Sequence, residues 1–226
     1  MKLCIDTCTN VCSVSVIEKD KIIGERTYND KLRHSEILMV EIDELIKKLD
    51  KTPSDIEEVF VTSGPGSFTG IRIGVTAANT LADTLGVKVN GYTVLDLIAG
   101  NFMCHDGHIC SMVYARNDRY YFAIYEAKKG TLKLKTPYEA KTIDEILKIA
   151  KKYKHLIFAG DLSDNHFDKM SKIGQVASKA LGMPRSAMLA FLKIDNKDKL
   201  GKEEMIDGKY VKPVYLEKSQ AEKMKK

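Results

Sequence analysis

Cys12-Ser13-Val14-Ser15-Val16 alternates apolar and polar residues with period two, the mark of a half-buried strand. The short apolar run Leu3 to Asp6 before it predicts another strand, separated by the turn chemistry of Asp6-Thr7-Cys8-Thr9-Asn10. Ile22 to Tyr28 predicts a third. From Ser35 the period changes. Leu38, Ile42, Leu45, Ile46 and Leu49 recur at helical spacing, so a helix is expected from about Ser35 to Leu49. Thr52-Pro53-Ser54-Asp55 ends it and opens a short helical turn. Glu58 to Thr62 predicts a strand and Ser63 to Thr69 a glycine-rich loop. A second helix follows from Gly70 to Leu85, with Thr69 as its N-cap and Gly86 as its C-cap. A strand at Val87 to Asn90 and a helix from Val94 to Phe102 complete this half.

The order β-β-β-α-β then recurs. Ile109 to Ala115, Tyr120 to Tyr125 and Thr131 to Thr136 predict three strands, the first two joined by the turn Arg116-Asn117-Asp118-Arg119. Thr142 to Lys152 carries Ile143, Ile146, Leu147 and Ala150 on one helical face, and Leu156 to Ala159 predicts the strand after it. The two opening hairpins stand half a chain apart, the spacing of an internal structural duplication. The expected fold is α/β, each half a mixed sheet with helices packed on it. Residues 165–212 give no clear assignment.

Composition changes little. The chain has 226 residues, 44% hydrophobic and 30% charged, which suits a folded protein of one large or two smaller domains. No apolar run approaches the ~18–20 residues of a membrane span. Asp6 follows the first residues too closely for a signal peptide, so a cytoplasmic protein is expected. Five cysteines (Cys4, Cys8, Cys12, Cys104 and Cys110) include no C-x-x-C pair and are expected to be reduced thiols, with a metal site from the first three as the weaker reading. Charge is uneven. Residues 1–105 carry 11 Lys and Arg against 15 Asp and Glu, whereas residues 106–226 carry 25 against 16. That permits contact with an acidic partner or nucleic acid and equally describes a solvated lysine-rich surface.

The richest stretch for chemistry is the run from Ser63 to Val75. Gly64, Gly66, Ser67, Thr69 and Gly70 form a loop of small residues at a helix N-terminus, where free N–H groups and the helix dipole attract anions. Arg72 in the first turn opposes that dipole and is accommodated more easily beside an anion. Gly70 followed by Ile71 fails the Walker A pattern, and the glycine spacing fails G-x-G-x-x-G. A structural turn and a phosphate loop both fit. Asp6 and Thr7 offer a second candidate: hydrated magnesium and nucleotide phosphates, or a self-satisfied turn. His34 has Leu38 at the i+4 position where a helical metal pair needs a second ligand. Neither His105 and His108 nor the isolated His155 and His166 complete a metal site.

Two helix faces are unusually poor in charge. On the second long helix Thr76, Asn79, Thr80 and Asp83 lie opposite the core stripe, with Gly74 and Ala77 at the margins; on the first, Ile37 and Val40 point away from it. Either another subunit or the second half of the chain covers them.

At this point the sequence resembles a known family. Gly64-Pro-Gly-Ser-Phe-Thr-Gly-Ile-Arg-Ile-Gly, some sixty residues after Ile5-Asp6-Thr7, is similar to the bacterial TsaB (YeaZ) proteins of tRNA threonylcarbamoyladenosine biosynthesis, formerly labelled glycoprotease-like. His34-Ser35, Tyr114-Ala115-Arg116, Tyr120-Tyr121 and Pro213-Val214-Tyr215-Leu216 support it. The resemblance implies an ASKHA fold (the actin, sugar-kinase and Hsp70 class, RNase H-like) with lobes at 1–104 and 105–226, the last segment packing back on the first. It implies a subunit without activity of its own that pairs with the transferase TsaD through His34, Ile37, Val40, Thr76, Ala77 and Thr80. A TsaE-like ATPase joins, and the protein forms homodimers when alone. ATP or ADP and magnesium act at the level of the complex, tRNA contact comes through the complex, and no membrane is involved. Leu38 interrupts the His-x-x-x-His metal pair of TsaD, so no metal site carries over. Glu217 stands where many relatives have Arg. The alternatives are a stand-alone phosphotransferase or ATPase using Asp6, Thr7 and the Gly64–Gly70 loop, and a metallopeptidase, which Leu38 opposes.

Overall fold

The computed structural model describes residues 1–29, 33–195, 206–207 and 209–217. The first lobe runs β1 (Lys2–Asp6), β2 (Val11–Glu18), β3 (Lys21–Asn29), α1 (His34–Lys48), β4 (Glu58–Thr62), α2 (Phe68–Leu85), β5 (Lys88–Tyr92) and α3 (Val94–Gly100). The second runs β6 (Gly107–Arg116), β7 (Arg119–Lys128), β8 (Thr131–Leu134), β9 (Glu139–Thr142), α4 (Ile143–Ala150), β10 (Leu156–Gly160), β11 (Gln175–Val176) and β12 (Ile194–Asp195). The first sheet has the order β3-β2-β1-β4-β5 and the second contains β8-β7-β6-β10-β11, position for position the same. In both, the opening three strands pair antiparallel and the last two add in parallel. The duplication read from element order is therefore a duplication of topology. The second sheet adds β12 parallel to β8 and β9 antiparallel to β7, neither legible in the sequence.

The central strands are buried on both faces, as parallel strands covered on both sides must be. Leu3, Ile5, Val59 and Val61 point to the helix side, where Leu38, Ile42, Ile71 and Val75 of α1 and α2 meet them. Cys4, Ile17 and Phe60 form the core of the reverse face with Leu97 of α3 and with Ala187 and Leu189. The last two belong to a 3-10 segment, Ser186–Phe191, supplied by the second half of the chain. Its anchor is a buried hydroxyl cluster: Ser186 Oγ lies 2.9 Å from Ser13 Oγ and 2.6 Å from Ser15 Oγ. In the second lobe Tyr120, Phe122, Ile124 and Phe158 pack against Ile146 and Leu147 of α4.

The lobes are joined by Asp96 in the first turn of α3. Its carboxylate accepts from the Thr93 backbone N–H (2.9 Å) and from the hydroxyls of Tyr125 (2.8 Å) and Tyr138 (2.9 Å) of the second lobe. Desolvation pushes its pKa up against these donors. The end of the described chain returns to the first lobe. Strands β13 (Ile206–Asp207) and β14 (Tyr210–Val211) form a hairpin, and the Asn79 side chain exchanges two hydrogen bonds with the Val211 backbone (2.9 and 3.0 Å). Val214 N–H then donates to Ser63 O at 2.7 Å.

Two of the boundary shifts have a side-chain cause. Helix α2 begins at Phe68 with Ser67, not Thr69, as N-cap: Ser67 is extended and its hydroxyl accepts from Gly70 N–H at 3.2 Å. β8 ends at Leu134 because the ladder position beyond it is taken by a side chain, Thr136 Oγ1 accepting from Ile124 N–H. Among the described residues no helix is long and apolar enough to cross a membrane. All five cysteines are free thiols, and among the described residues no three His, Cys, Asp or Glu side chains converge as metal ligands.

Candidate functional site

Two concave surfaces stand out. The first is a cleft of about 610 Å³ between the lobes, at the tips of the two matching hairpins. Thr9 and Asn10 from the β1–β2 turn and Gly66 and Ser67 from the glycine-rich loop face Tyr114, Asp118 and Tyr121 of the β6–β7 hairpin, with Asp161 closing one end. The charged residues lining it are the two aspartates.

The glycine-rich loop is pressed onto the β1–β2 turn. A Cβ on Gly66 would overlap the Cys8 carbonyl and one on Gly70 the Thr7 carbonyl, so both glycines serve a close backbone approach. Ser67 N–H donates to Cys8 O at 2.7 Å, and Gly70 N–H is used by the Ser67 cap. Gly64 is buried and its carbonyl accepts from Val94 N–H at 2.8 Å, while Thr69 is exposed. Thr7 is buried, with its hydroxyl donating to Gly70 O at 2.7 Å. Asp6, 0% exposed, accepts through Oδ1 from Thr62 Oγ1 (2.5 Å) and Cys8 N–H (3.3 Å); Oδ2 is buried without a hydrogen-bond partner. Burial raises the Asp6 pKa to about 6 despite those donors. Of the anion-site candidates, Gly66 and Ser67 reach the cleft wall, whereas Asp6 and Thr7 lie outside its lining.

Arg72 resolves differently from the expectation of a neighbouring anion. Its guanidinium lies 4.0 Å from the Phe68 ring centroid, and its Nε donates to Tyr215 Oη at 3.1 Å. Tyr215 stacks on Phe68 at 4.5 Å, so an aromatic pair accommodates the cation at the helix start.

The second surface is a groove of about 570 Å³ between α1 and α2, lined by Leu38, Met39, Ile73, Ala77 and Leu81 with Ser35, Arg72, Thr76 and Thr80 at its edges. It is almost wholly apolar, and Met39 is 48% exposed within it. Thr76, Ala77 and Thr80 all line this groove. Ile37 does not line the groove but packs half-buried against the core, and Val40, 51% exposed, also lies outside its lining. His34 is a correction. It is buried, and its Nε2 lies 3.3 Å from Asn10 O, tying α1 to the β1–β2 turn of its own lobe. Leu38, at the position of a second metal ligand, is 1% exposed and built into the core. Met39, Ile73 and Leu81 escaped the sequence reading. Ile73, Ala77 and Leu81 form an i, i+4, i+8 row beside the core stripe, and that row was the available signal. Asn79 and Asp83, on the same undercharged helix, are engaged by the returning chain instead: Asp83 accepts from Tyr210 Oη at 3.1 Å and pairs with Lys209.

The model of the family described as TsaD, tRNA N6-adenosine threonylcarbamoyltransferase, matches residues 21–224. The tRNA threonylcarbamoyladenosine biosynthesis protein TsaB of Bacillus subtilis is 31% identical over 226 residues, 97% of this chain and 95% of that one. The Escherichia coli protein of the same name is 27% identical over 126 residues, about half of each chain. YeaZ from Pseudomonas aeruginosa superposes with a TM-score of 0.68 over 84% of this chain and 89% of its own, at 19% identity, a likeness of fold.

Proposed function

This chain belongs to the TsaB family, and from that premise we propose that it serves threonylcarbamoyladenosine formation in tRNA as the non-catalytic partner of a TsaD-like transferase. The observation that carries the partner role is the groove between α1 and α2. A monomer rarely leaves so apolar a cleft between its two longest helices in water, and the small residues Ala77 within it and Thr76 and Thr80 at its edges let a further helix pair approach closely.

On this reading the transferase supplies the metal centre and the acceptor chemistry, while α1 and α2 supply a rigid docking face. Leu38 and His34 are spent on holding that face: one fills the core and the other anchors α1 to the turn below. A second copy of the chain occupies the groove when the transferase is absent, and a TsaE-like ATPase joins the assembled pair. Nucleotide and magnesium act at the level of that complex. The setting is the cytoplasm, where tRNA is modified.

The test is depletion of the protein followed by nucleoside mass spectrometry of bulk tRNA. Threonylcarbamoyladenosine is expected to fall and to return on re-expression. Unchanged levels under verified depletion would overturn the pathway; restoration by a variant that no longer binds the transferase would overturn the partner role.

A further inference from the structure

The tip of the β6–β7 hairpin carries a charge conflict. Asn117 and Asp118, both at positive φ, make a turn so tight that Arg116 and Arg119 become the last facing pair of the ladder. Two guanidiniums directly opposite one another repel. Glu217, at the end of the segment that returns across the first lobe, lies against both. Glu217 Oε2 lies 3.6 Å from Arg116 Nη2, and Oε1 lies 3.2 Å from Arg119 Nε. Neither distance reaches the ~2.7–2.9 Å of a strong charge-assisted bond. Arg119 Nε is buried and makes no hydrogen bond, because the Glu217 oxygen stands outside bonding geometry. Arg119 Nη2 is engaged, donating to Ala140 O at 2.5 Å, which fixes the guanidinium in place. The Glu217 carboxylate is thus shared between two cations and fully satisfies neither, with Glu145 acting on Arg119 from farther off.

We propose that Arg116 and Arg119 form a phosphate-backbone site for RNA, occupied in the resting protein by the Glu217 carboxylate; this rests on the assignment to tRNA modification. The site adjoins the interlobe cleft and shares Tyr114 with it. Asp118, on the same turn, contributes to the cleft lining with Asp161, whereas neither arginine does. Three further observations favour a polyanion over a lone phosphate. The second half of the chain holds 25 Lys and Arg against 16 Asp and Glu. The residues directly after Glu217 in sequence include Lys218, Lys223, Lys225 and Lys226. Tyr114, two residues before Arg116, is 43% exposed and presents a ring on which a base can stack. Glu217 is held to the first lobe through Val214 and Tyr215, so a phosphate displaces only the carboxylate and leaves the segment anchored.

The experiment measures binding of an unmodified tRNA transcript by the full chain, alone and with its transferase, across a salt series. Glu217→Gln removes the resident anion and keeps the shape; its affinity is expected to rise roughly three- to tenfold. Arg116→Ala with Arg119→Ala is expected to lower affinity tenfold or more and to flatten the salt slope by about 1.4, the ~0.7 expected per lost single-strand phosphate contact. Mononucleotide competitors are expected to have little effect. Equal affinities and slopes for all three proteins, or displacement of tRNA by micromolar mononucleotide, would overturn the site. The Glu217→Gln gain does not depend on whether the double variant folds. Threonylcarbamoyladenosine levels in depleted cells separate the two inferences. If wild-type protein restores the nucleoside and the variants bind tRNA alike, only the site fails; if it does not restore it, the functional assignment fails.

Discussion

The hydroxyl of Thr7 occupies the space that a side chain on Gly74 would need: a Cβ built there overlaps Thr7 Oγ1. The same hydroxyl donates to Gly70 O one turn earlier, so α2 rests on the β1–β2 turn with no side chain between them. A helix seated this closely fixes both the lip of the cleft and the tilt of the groove.

Gly74→Ala is therefore expected to destabilise the protein by about 1–3 kcal/mol, although alanine is the better helix former. Thr7→Ala removes the clashing oxygen, so the double variant is expected to be more stable than the sum of the single losses by about 1 kcal/mol. Urea denaturation of the four proteins checks it; strict additivity would show that the contact is not shared.

Asp6 makes a signed pH prediction. Its folded pKa of about 6 lies above its ordinary value of 3.8, so the folded state holds the proton more tightly. Stability is then lost as pH rises through the window from about 4 to 6, by about 3 kcal/mol. Asp6→Asn lacks this loss. The stability of Asp6→Asn relative to wild type is expected to improve between about pH 4 and 6 and then to level off, and a flat difference across that window would refute the shift.

In the groove, Ala77→Arg places a long cation among Ile73, Leu81 and Met39. Because Ala77 is only half-buried in the isolated chain, the change is expected to alter stability by less than about 1 kcal/mol. Burying that charge against a partner helix should weaken association at least about 100-fold. Size-exclusion chromatography with the transferase reads the outcome directly.

Tyr215→Ala removes the stack on Phe68 and the hydrogen bond to Arg72. A loss of about 1–2 kcal/mol is expected, with faster amide exchange in residues 209–217 than in the rest of the first lobe. Exchange rates that rise uniformly would show that the segment is not held there.

Much of this was legible in the chain, for identifiable reasons. Period-two and helical spacing are local, so β1 to β5 and both long helices follow from the first ninety residues. Ser67 and Thr69 are equally good caps in sequence; only the extended backbone at Ser67 decides between them. Arg72 suggested an anion because its real companions, Phe68 and Tyr215, include one 143 residues away. His34 lies at the head of a helix whose other members supply the groove, and its burial depends on Asn10, a tertiary partner with no sequence signal. Ser186–Phe191 stayed unassigned for the same reason: its hydroxyl and apolar positions make sense only against β1 and β2. Residues 196–205 of the unassigned stretch lie outside the described residues.

The order in which this chain is synthesised gives that last segment a consequence. The reverse face of the first sheet is covered by Ser186–Phe191, and the glycine-rich loop is clasped by Val214 and Tyr215. A ribosome that has released the first hundred residues has thus delivered a sheet whose reverse face has only α3 to cover it, because the rest of its cover is still being made. The first lobe to emerge is the last to be finished, and nascent chains stalled before residue 186 should be the ones that need a chaperone.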